Sequence, residues 1–220
     1  GKMARFRDRR DAGRVLAQEL TAYAGRSDVI VLALPRGGVP VAYEVALALN
    51  APLDIFIVRK LGLPGHEELA IGAIASGGVR VLNEDIIHAL NIPEAMINRV
   101  AQQELQELGR REQLYRGDRP MLDVQDKTVI LIDDGLATGA SMRAAVSGVR
   151  TQHPARIVIA VPTAAPETCN AFEFEVDEIV CAMTPEPFFG VGKWYENFSQ
   201  ITDEEVHTLL EEASRQLLHG

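Results

Sequence analysis

Five short apolar runs, each rich in valine and isoleucine, constrain the fold of this 220-residue chain more than any other feature. They lie at residues 29–34, 53–58, 128–133, 156–161 and 177–183. Strands that are apolar along their whole length are typical of parallel sheets covered on both faces. Because helical patterns lie between the runs, the sequence predicts an α/β fold, with a twisted, mainly parallel sheet flanked by helices.

Helical patterns also occur outside this alternation. An apolar stripe over residues 8–24 predicts an N-terminal helix. Residues 83–126 hold a long, charged helical stretch, which we interpret as an insertion packed against the sheet edge; a dimer contact and a lid are the alternatives. The chain closes with a helix that begins near Thr202, because Thr202 and Glu205 have capping-box spacing. A chain of this length can bury one core, so we expect a single domain.

The composition limits the classes of partner that the protein can be expected to bind. The formal net charge is −9 at pH 7, and phosphate backbones are bound mainly through lysine and arginine, so we expect no nucleic acid and no membrane as partners. No apolar run approaches the roughly 20 residues of a membrane helix, and the charged start of the chain does not resemble a secretory leader. Cys169 and Cys181 lack metal or redox spacing, so we interpret them as free thiols in a cytoplasmic protein.

Residues 129–141, with the sequence VILIDDGLATGAS, combine an apolar strand, two carboxylates and a loop of small and hydroxyl residues. Unpaired N–H groups at a helix start favour an anion, and Thr138 and Ser141 add hydroxyl donors. Asp133 and Asp134 lie at the strand end where α/β sheets bind ligands, and they can accept hydrogen bonds from ribose hydroxyls or bind a divalent cation. The combination predicts a ribose 5-phosphate site; a DDG turn with a helix cap is the alternative.

The same stretch resembles the fingerprint with which type I phosphoribosyltransferases bind 5-phosphoribosyl 1-pyrophosphate (PRPP). The order of elements between residues 29 and 183 also resembles the core of that fold. The ending PEPFFGVGKWYENFSQITDEEV resembles a poorly characterised branch of "predicted phosphoribosyltransferases". The resemblance implies one phosphoribosyltransferase-like domain over residues 1–220, with a helical insertion at 83–126 and a small hood and C-terminal helix at 184–216.

The resemblance also implies roles for the fingerprint residues. Asp133 and Asp134 would act as the catalytic pair, holding the ribose hydroxyls and binding Mg2+ through water. The loop would anchor the 5-phosphate of PRPP, through Ala137, Thr138, Gly139, Ala140 and Ser141. Ala137 stands where the 6-oxopurine enzymes carry an aspartate, so hypoxanthine and guanine are less expected as acceptors than adenine-like, pyrimidine-like or other compounds.

Two further segments match parts of the family pattern. Arg36, Gly37 and Gly38 follow the first apolar run, and the resemblance implies that this turn binds pyrophosphate. Glycines permit an unusual backbone there, and arginine can clamp a phosphate with two hydrogen bonds. Arg59 and Lys60 follow the second run and would be catalytic, by neutralising the leaving pyrophosphate. Without the resemblance, these segments are a glycine-rich turn with a surface arginine and a solvated basic edge.

A mobile loop is expected from Gly62 to Ile71, next to the basic pair. Its closure over the reacting centre would exclude water. His66, Glu67 and Glu68 lie near its tip, and the sequence leaves open whether they contribute to catalysis or are only solvated.

Aromatic residues concentrate near the C-terminus of the chain. In the family a variable hood holds the acceptor, and aromatic rings can stack on a planar molecule. The candidate hood residues are Phe188, Phe189, Trp194 and Tyr195. The alternative is a small satellite core that seats the C-terminal helix.

These features together predict a PRPP-dependent phosphoribosyltransferase that transfers 5-phosphoribosyl to a nitrogenous, nucleobase-like acceptor and releases pyrophosphate, with Mg2+ as cofactor. The alternative is a regulatory protein that binds PRPP or a nucleotide without transferase activity; the acidic charge disfavours it, because such regulators usually carry a basic face. Phosphate-ester hydrolysis is disfavoured because Asp133 and Asp134 are adjacent rather than two residues apart. By family analogy alone, we expect a homodimer.

Overall fold

The computed structural model of the protein describes residues 4–219, which contain eight β-strands in two sheets. The strands are β1 (Val29–Ala33), β2 (Leu53–Ile55), β3 (Val58–Leu63), β4 (His66–Ala75), β5 (Val79–Leu82), β6 (Thr128–Ile132), β7 (Arg156–Thr163) and β8 (Glu178–Met183). The larger sheet has the order β2-β1-β6-β7-β8, and all its strand pairs are parallel. The predicted parallel sheet is therefore confirmed.

Seven α-helices accompany the strands in the part of the chain that the structure describes. They are α1 (Arg9–Gln18), α2 (Gly38–Leu49), α3 (Glu84–Ala89), α4 (Glu94–Arg116), α5 (Ala140–Arg150), α6 (Pro166–Phe172) and α7 (Asp203–His219). Within residues 4–219, no helix is both long and apolar enough to cross a membrane.

The parallel sheet is covered on both faces. β1 and β6 are buried at every position, as their continuous apolar sequence predicts. Successive side chains of a strand point to opposite faces, so Val29 and Val31 join a core cluster with α1 and α2. Ile30 and Leu32 join a second cluster with α5 and α6. This arrangement leaves the carboxyl edge of the sheet, where the loops lie, for polar residues.

The predicted strand at residues 53–58 is two strands. β2 ends at Ile55, Phe56 and Ile57 form a buried junction, and β3 begins at Val58 in the second sheet. A single apolar run serves both sheets because the junction between them is itself buried.

The expected mobile loop from Gly62 to Ile71 is wrong in its local structure. These residues belong to an antiparallel hairpin of β3 and β4, and β5 completes a three-stranded sheet. Pro64 and Gly65 form the two-residue turn, with φ of +86° at Gly65. Such a conformation favours glycine, and the Pro-Gly pair is a turn signal that the sequence did contain.

The N-terminal helix is shorter than predicted. α1 begins after Asp8, whose carboxylate accepts a hydrogen bond from the Asp11 N–H, and it ends at Gln18. A separate turn of 3-10 helix follows at Thr21–Tyr23. At the other end of the chain, the Thr202 hydroxyl oxygen accepts a hydrogen bond of 3.0 Å from the Glu205 N–H, which confirms the predicted helix start.

Helices α3 and α4 form most of the region 83–126 that we interpreted as a helical insertion. The buried stripe of α4 includes Ile97, Ala101 and Leu108, as the periodicity predicts. α4 contacts β2, β3, β4 and α7. It therefore lies between the hairpin and the C-terminal helix, above the carboxyl edge of the sheet.

The two cysteines form a disulfide bond, so the prediction of free thiols is wrong. Cys169 lies on α6 and Cys181 on β8, with Cα atoms 6.8 Å apart. The pairing depends on how α6 packs against β8, which the spacing in sequence does not reveal. Because disulfides persist mainly in oxidising environments, the cysteines no longer support the expected cytoplasmic location.

Candidate functional site

Two adjacent carboxylates lie at the carboxyl end of β6 and face different neighbours. Asp133 lines a cavity of about 130 Å³. Asp134 forms an ion pair with Arg9 of α1, with 3.1 Å between its Oδ2 atom and the arginine Nε atom. Its backbone N–H donates a hydrogen bond of 2.8 Å to Oδ1 of Asp133. Asp133 is therefore the carboxylate at the cavity, and Asp134 is the carboxylate whose charge Arg9 offsets.

The cavity beside Asp133 is built from segments that are far apart in sequence. Pro35 comes from the β1–α2 turn, Arg59 from β3 and Ser141 from the first turn of α5. Arg111 and Tyr115 of α4 complete the wall. The structure thus brings together three segments that the sequence analysis placed at one site, and it adds a fourth that the analysis did not.

The loop before α5 offers backbone donors, although the Ala140 N–H donates a long hydrogen bond of 3.4 Å to the Thr138 hydroxyl oxygen. Gly139 precedes the helix with φ of +80° and, as a glycine, supplies no side-chain cap. Thr138, Ala140 and Ser141 are exposed. The Thr168 hydroxyl of α6 donates a hydrogen bond to the Ala137 carbonyl and so braces the loop from behind. Unpaired N–H groups at the positive end of a helix dipole can bind an anion here.

The turn between β1 and α2 fits closely against the acid pair. A Cβ atom on Gly37 would overlap the carboxylate of Asp134, and one on Gly38 would lie 2.8 Å from the Ile132 carbonyl oxygen. Gly37 itself has an ordinary helical backbone, with φ of −61°. The glycines are therefore required for space rather than for a positive φ. The peptide bond that precedes Arg36 is cis.

The basic pair of β3 is divided between two faces. Arg59 lines the cavity and forms an ion pair with Glu104 of α4. Lys60 is exposed and lines a separate cleft, beside Ala140 and Ser141. Because successive strand residues point to opposite sides, only Arg59 shares the cavity with Asp133.

Arg9 is a site residue that the sequence analysis did not single out. Its side chain is 9% exposed, and it packs over the Phe198 ring with 4.1 Å between the guanidinium carbon and the ring centre. It also donates a hydrogen bond of 2.6 Å to the Ser199 carbonyl. Two neighbouring anions require a compensating cation, and the basic run from Arg5 to Arg14 was the available signal.

The environment of the carboxylates changes their proton affinity. Burial raises the pKa of Asp133 well above its ordinary value, and the adjacent Asp134 charge raises it further. Burial also raises the pKa of Asp134, although the Arg9 guanidinium opposes that shift. One arginine therefore compensates two carboxylates incompletely, and the site favours a ligand that brings hydrogen-bond donors or positive charge.

The predicted hood residues have different environments. Trp194 and Tyr195 are buried, at 3% and 1% exposure, so in this conformation their rings are not available to stack on an acceptor. The Tyr195 hydroxyl donates a hydrogen bond of 2.6 Å to the Asp134 carbonyl, and the ring packs with Phe6. These two residues form a satellite core, as the alternative predicted, but it seats the N-terminal segment rather than the C-terminal helix.

The remaining aromatic candidates are more accessible. Phe189 is 78% exposed and Phe188 is partly buried. The Phe188 carbonyl accepts a hydrogen bond of 2.8 Å from the Trp194 indole, which ties this part of the hood to the satellite core. His66 is exposed in the hairpin, pairs with Glu68 at 3.8 Å and does not line the cavity.

Comparisons with known proteins agree with this geometry. A family model described as a phosphoribosyl transferase domain matches residues 7–187. Two Mycobacterium tuberculosis proteins that carry the phosphoribosyl transferase name, from strains CDC 1551 and H37Rv, are each 45% identical over 213 residues, covering 97% of this chain. The alignment covers 48% of each relative, so the chain spans about half the length of these curated proteins.

One solved structure is similar over nearly the whole chain. The crystal structure of TT1426 from Thermus thermophilus has a TM-score of 0.83 and 42% sequence identity. The match covers 94% of this chain and 98% of that one. The predicted α/β fold with its parallel sheet is thus found in a related protein.

Proposed function

The chain belongs to the phosphoribosyl transferase family, and from this premise we propose that it is a PRPP-dependent phosphoribosyltransferase. The proposed reaction transfers 5-phosphoribosyl from PRPP to a nitrogenous, nucleobase-like acceptor and releases pyrophosphate. One observation carries the proposal: three segments that are separate in sequence line the same cavity, through Pro35 of the β1–α2 turn, Arg59 of β3, and Asp133 with Ser141 of the 129–141 stretch.

The loop from Ala137 to Ser141 anchors the 5-phosphate in this proposal. The start of α5 presents backbone N–H groups, and the Thr138 and Ser141 hydroxyls add donors; the phosphate would replace the long 3.4 Å contact between the Ala140 N–H and the Thr138 hydroxyl oxygen. A hydrogen bond to a charged group contributes about 1.5–3 kcal/mol, so several of them would hold a phosphate monoester firmly. The bulk of Phe172 behind Gly139 leaves no room for a larger residue, since a Cβ there would lie 2.8 Å from its ring.

The acid pair holds the ribose. Asp133 faces the cavity and accepts hydrogen bonds from the ribose hydroxyls, which replace the water it loses on burial. Asp134 supports it from behind, where Arg9 offsets its charge. The raised pKa of Asp133 means that a donor-rich ligand gains more at this carboxylate than at an exposed one.

The chemistry at ribose C1 needs positioning and charge stabilisation. The C1–oxygen bond breaks, its electron pair leaves with pyrophosphate, and a nitrogen lone pair of the acceptor forms the new bond to C1. Arg59 at the cavity wall and Arg36 in the β1–α2 turn offset the charge that develops on the leaving group. Fixing both reactants in one site lowers the entropic cost of their reaction.

The residues present fit a magnesium ion that arrives with the substrate. Within residues 4–219, no three histidine, cysteine, aspartate or glutamate side chains are grouped to hold a metal. Mg2+ usually keeps several waters and binds through one or two carboxylates and substrate phosphates. Asp133 and Asp134 would hold such an ion through water, and the ion would supply positive charge at the pyrophosphate.

The proposal extends to the organisation of the chain. We take residues 1–220 as one functional unit, because α1, α4 and the segment near Tyr195 all contact the acid pair or line the cavity beside it. A homodimer is proposed by family analogy alone, and the cytoplasmic location that the sequence predicted stays a proposal that the Cys169–Cys181 disulfide does not support. Light scattering of the purified protein tests the first of these.

Titration calorimetry with Mg2+-PRPP tests the function. We expect the wild type to bind, and Asp133→Asn to weaken binding by roughly 10- to 100-fold, since a charge-assisted hydrogen bond to ribose is lost. Asp126→Asn is the matched control, because Asp126 is exposed and does not line the cavity. A folded wild type that binds no PRPP would contradict the proposal.

A second measurement separates the enzyme from the regulatory alternative. Pyrophosphate release is followed with PRPP and a panel of purine, pyrimidine and other nitrogenous acceptors. Release that depends on one acceptor supports the transferase. PRPP binding without release for any acceptor would favour a PRPP-binding regulatory protein instead.

A further inference from the structure

We infer that helix α4 supplies a pyrophosphate-binding residue, Arg111, to the active site. This inference rests on the proposed function and gives the region 83–126 a role in substrate binding. From the sequence we interpreted that region as a helical insertion packed against the sheet edge, with a dimer contact and a lid as alternatives. In the structure, its last turns form one wall of the cavity that contains Asp133.

The geometry of α4 places two side chains at the cavity. Arg111 and Tyr115 are four residues apart, so they project from the same face of the helix. They line the cavity together with Arg59 and Asp133. At about 130 Å³ the cavity is smaller than the roughly 300–1,000 Å³ pockets that enclose whole ligands, so it accommodates one end of a ligand. Its wall holds two guanidinium groups and the Asp133 carboxylate, so it suits a ligand end that carries an anionic group as well as hydrogen-bond donors for Asp133.

A third arginine, Arg36 of the β1–α2 turn, does not line the cavity but shares a carboxylate partner with Tyr115, which does. The Tyr115 hydroxyl donates a hydrogen bond of 2.7 Å to Asp203 of α7, and the Arg36 guanidinium lies 3.5 Å from the same carboxylate oxygen. Arg111 also contributes to lowering the pKa of Asp203, after the larger effects of Tyr115 and Arg36. Arginines from the β1–α2 turn, β3 and α4 therefore converge, which suits a ligand with several negative charges.

Each of these guanidinium groups is held by a carboxylate of α4 or α7. The pairs are Arg36 with Asp203, Arg59 with Glu104, and Arg111 with Glu107. A guanidinium has five N–H donors, so a carboxylate on one side leaves donors for a phosphate on the other. The Glu107 anchor stays ionised, because hydrogen bonds from Arg110 and Arg111 lower its pKa to about 2. The carboxylates thus offset the repulsion between the arginines while the site is without ligand.

Neighbouring arginines on α4 provide a matched test. Arg110 and Arg111 both pair with Glu107, at 2.7 Å and 3.0 Å, but Arg110 is 61% exposed and does not line the cavity. We expect Arg111→Gln to weaken the binding of Mg2+-pyrophosphate by roughly tenfold or more, measured by calorimetry. Ribose 5-phosphate, which lacks the pyrophosphate group, should bind Arg111→Gln within about twofold of the wild type, because its phosphate occupies the α5 loop.

Two further variants complete the test. Arg110→Gln should bind both probes as the wild type does. Arg111→Lys should recover part of the pyrophosphate binding, because lysine keeps the charge but lacks the planar fork of donors. It also serves as the second variant if Arg111→Gln fails to fold, which circular dichroism reports.

The outcomes separate this inference from the proposed function. If Arg111→Gln matches Arg110→Gln, or if it weakens both probes equally, the assignment of Arg111 is overturned while PRPP binding by the wild type still supports the function. If a folded wild type binds neither PRPP nor pyrophosphate, the function is overturned and the inference with it.

Discussion

Two aspartate–arginine pairs in this protein have almost the same geometry but differ in how completely their charges are compensated. In the pair between Asp54 of β2 and Arg116 of α4, the atoms lie 3.0 Å apart and the side chains are 5% and 8% exposed. In the pair between Asp134 and Arg9, they lie 3.1 Å apart at 14% and 9% exposure. Distance and burial alone do not distinguish them.

The number of groups that share each charge does distinguish them. The Asp54 carboxylate accepts hydrogen bonds from the Ile55 N–H, the Leu122 N–H and the Arg116 guanidinium, so its oxygens are satisfied within the protein. At the other pair, the half-buried Asp133 lies beside Asp134 and forms no ion pair with any residue that the structure describes, and burial raises the pKa of both aspartates. A buried charge that the protein compensates incompletely is a better marker of a ligand site than an ion pair as such.

The largest effect expected from this comparison is on the free energy of unfolding, when the Asp54–Arg116 pair is broken. Asp54→Ala leaves Arg116 buried without its main partner, and breaking a buried ion pair costs about 3–5 kcal/mol. We expect this loss in the free energy of unfolding measured with urea, with PRPP binding by the folded fraction retained. The same change at Asp28, which pairs with Arg26 at an exposed site, is the control and should cost far less. Equal losses in both variants would contradict the distinction between buried and exposed pairs.

The next effect concerns the Asp134–Arg9 pair, whose charges the protein compensates incompletely. Arg9→Gln removes the cation that faces two buried carboxylates, and the unpaired charge should lower the free energy of unfolding by about 2 kcal/mol at neutral pH. Adding Asp134→Asn should restore most of this loss, because the uncompensated charge is then gone. Urea titrations of the two single variants and the double variant give the coupling energy directly. Additive losses would show that Arg9 acts through packing on Phe198 rather than through charge.

The parts of the molecule that were predictable from sequence depend on local patterns. The parallel sheet followed from continuous apolar runs, and the site at Asp133 followed from a motif in which strand, carboxylates and loop are adjacent. The hairpin turn at Pro64 and Gly65 had a local signal too, and it was missed because the family resemblance suggested a loop there.

The parts that were not predictable depend on contacts across the chain. Arg9 meets Asp134 over 125 residues of sequence, and Arg111 reaches the cavity only because α4 folds back over the sheet edge. The aromatic concentration around Tyr195 was correctly noticed, but composition cannot say whether a ring faces a ligand or a satellite core. Local sequence identifies the chemistry of a site more readily than the residues that support it.

The smallest expected effect is the most specific to function. The pKa of Asp133 in the folded protein lies above its ordinary value of 3.8, so its ionisation opposes folding. The contribution of Asp133 to the free energy of unfolding is fully present below pH 3.8, its ordinary pKa, and it is lost as the pH rises through the pKa of Asp133 in the folded protein. Asp133→Asn removes this loss, and we expect the unliganded variant to melt about 2–4 °C higher than the wild type at pH 7, the shift that about 1 kcal/mol produces in a domain of this size.

Melting curves of Asp133→Asn and wild type across the acidic to neutral pH range check the sign of the difference in Tm and its origin in the ionisation of Asp133. The difference in Tm should shrink towards acid, where the wild-type carboxyl is protonated, and grow towards neutral pH. Asp126→Asn, at an exposed position, should show no such trend. A destabilised Asp133→Asn would mean that the carboxylate has a structural role like that of Asp54. A variant that is more stable and binds PRPP less tightly would show that the protein tolerates this buried charge for the sake of its ligand.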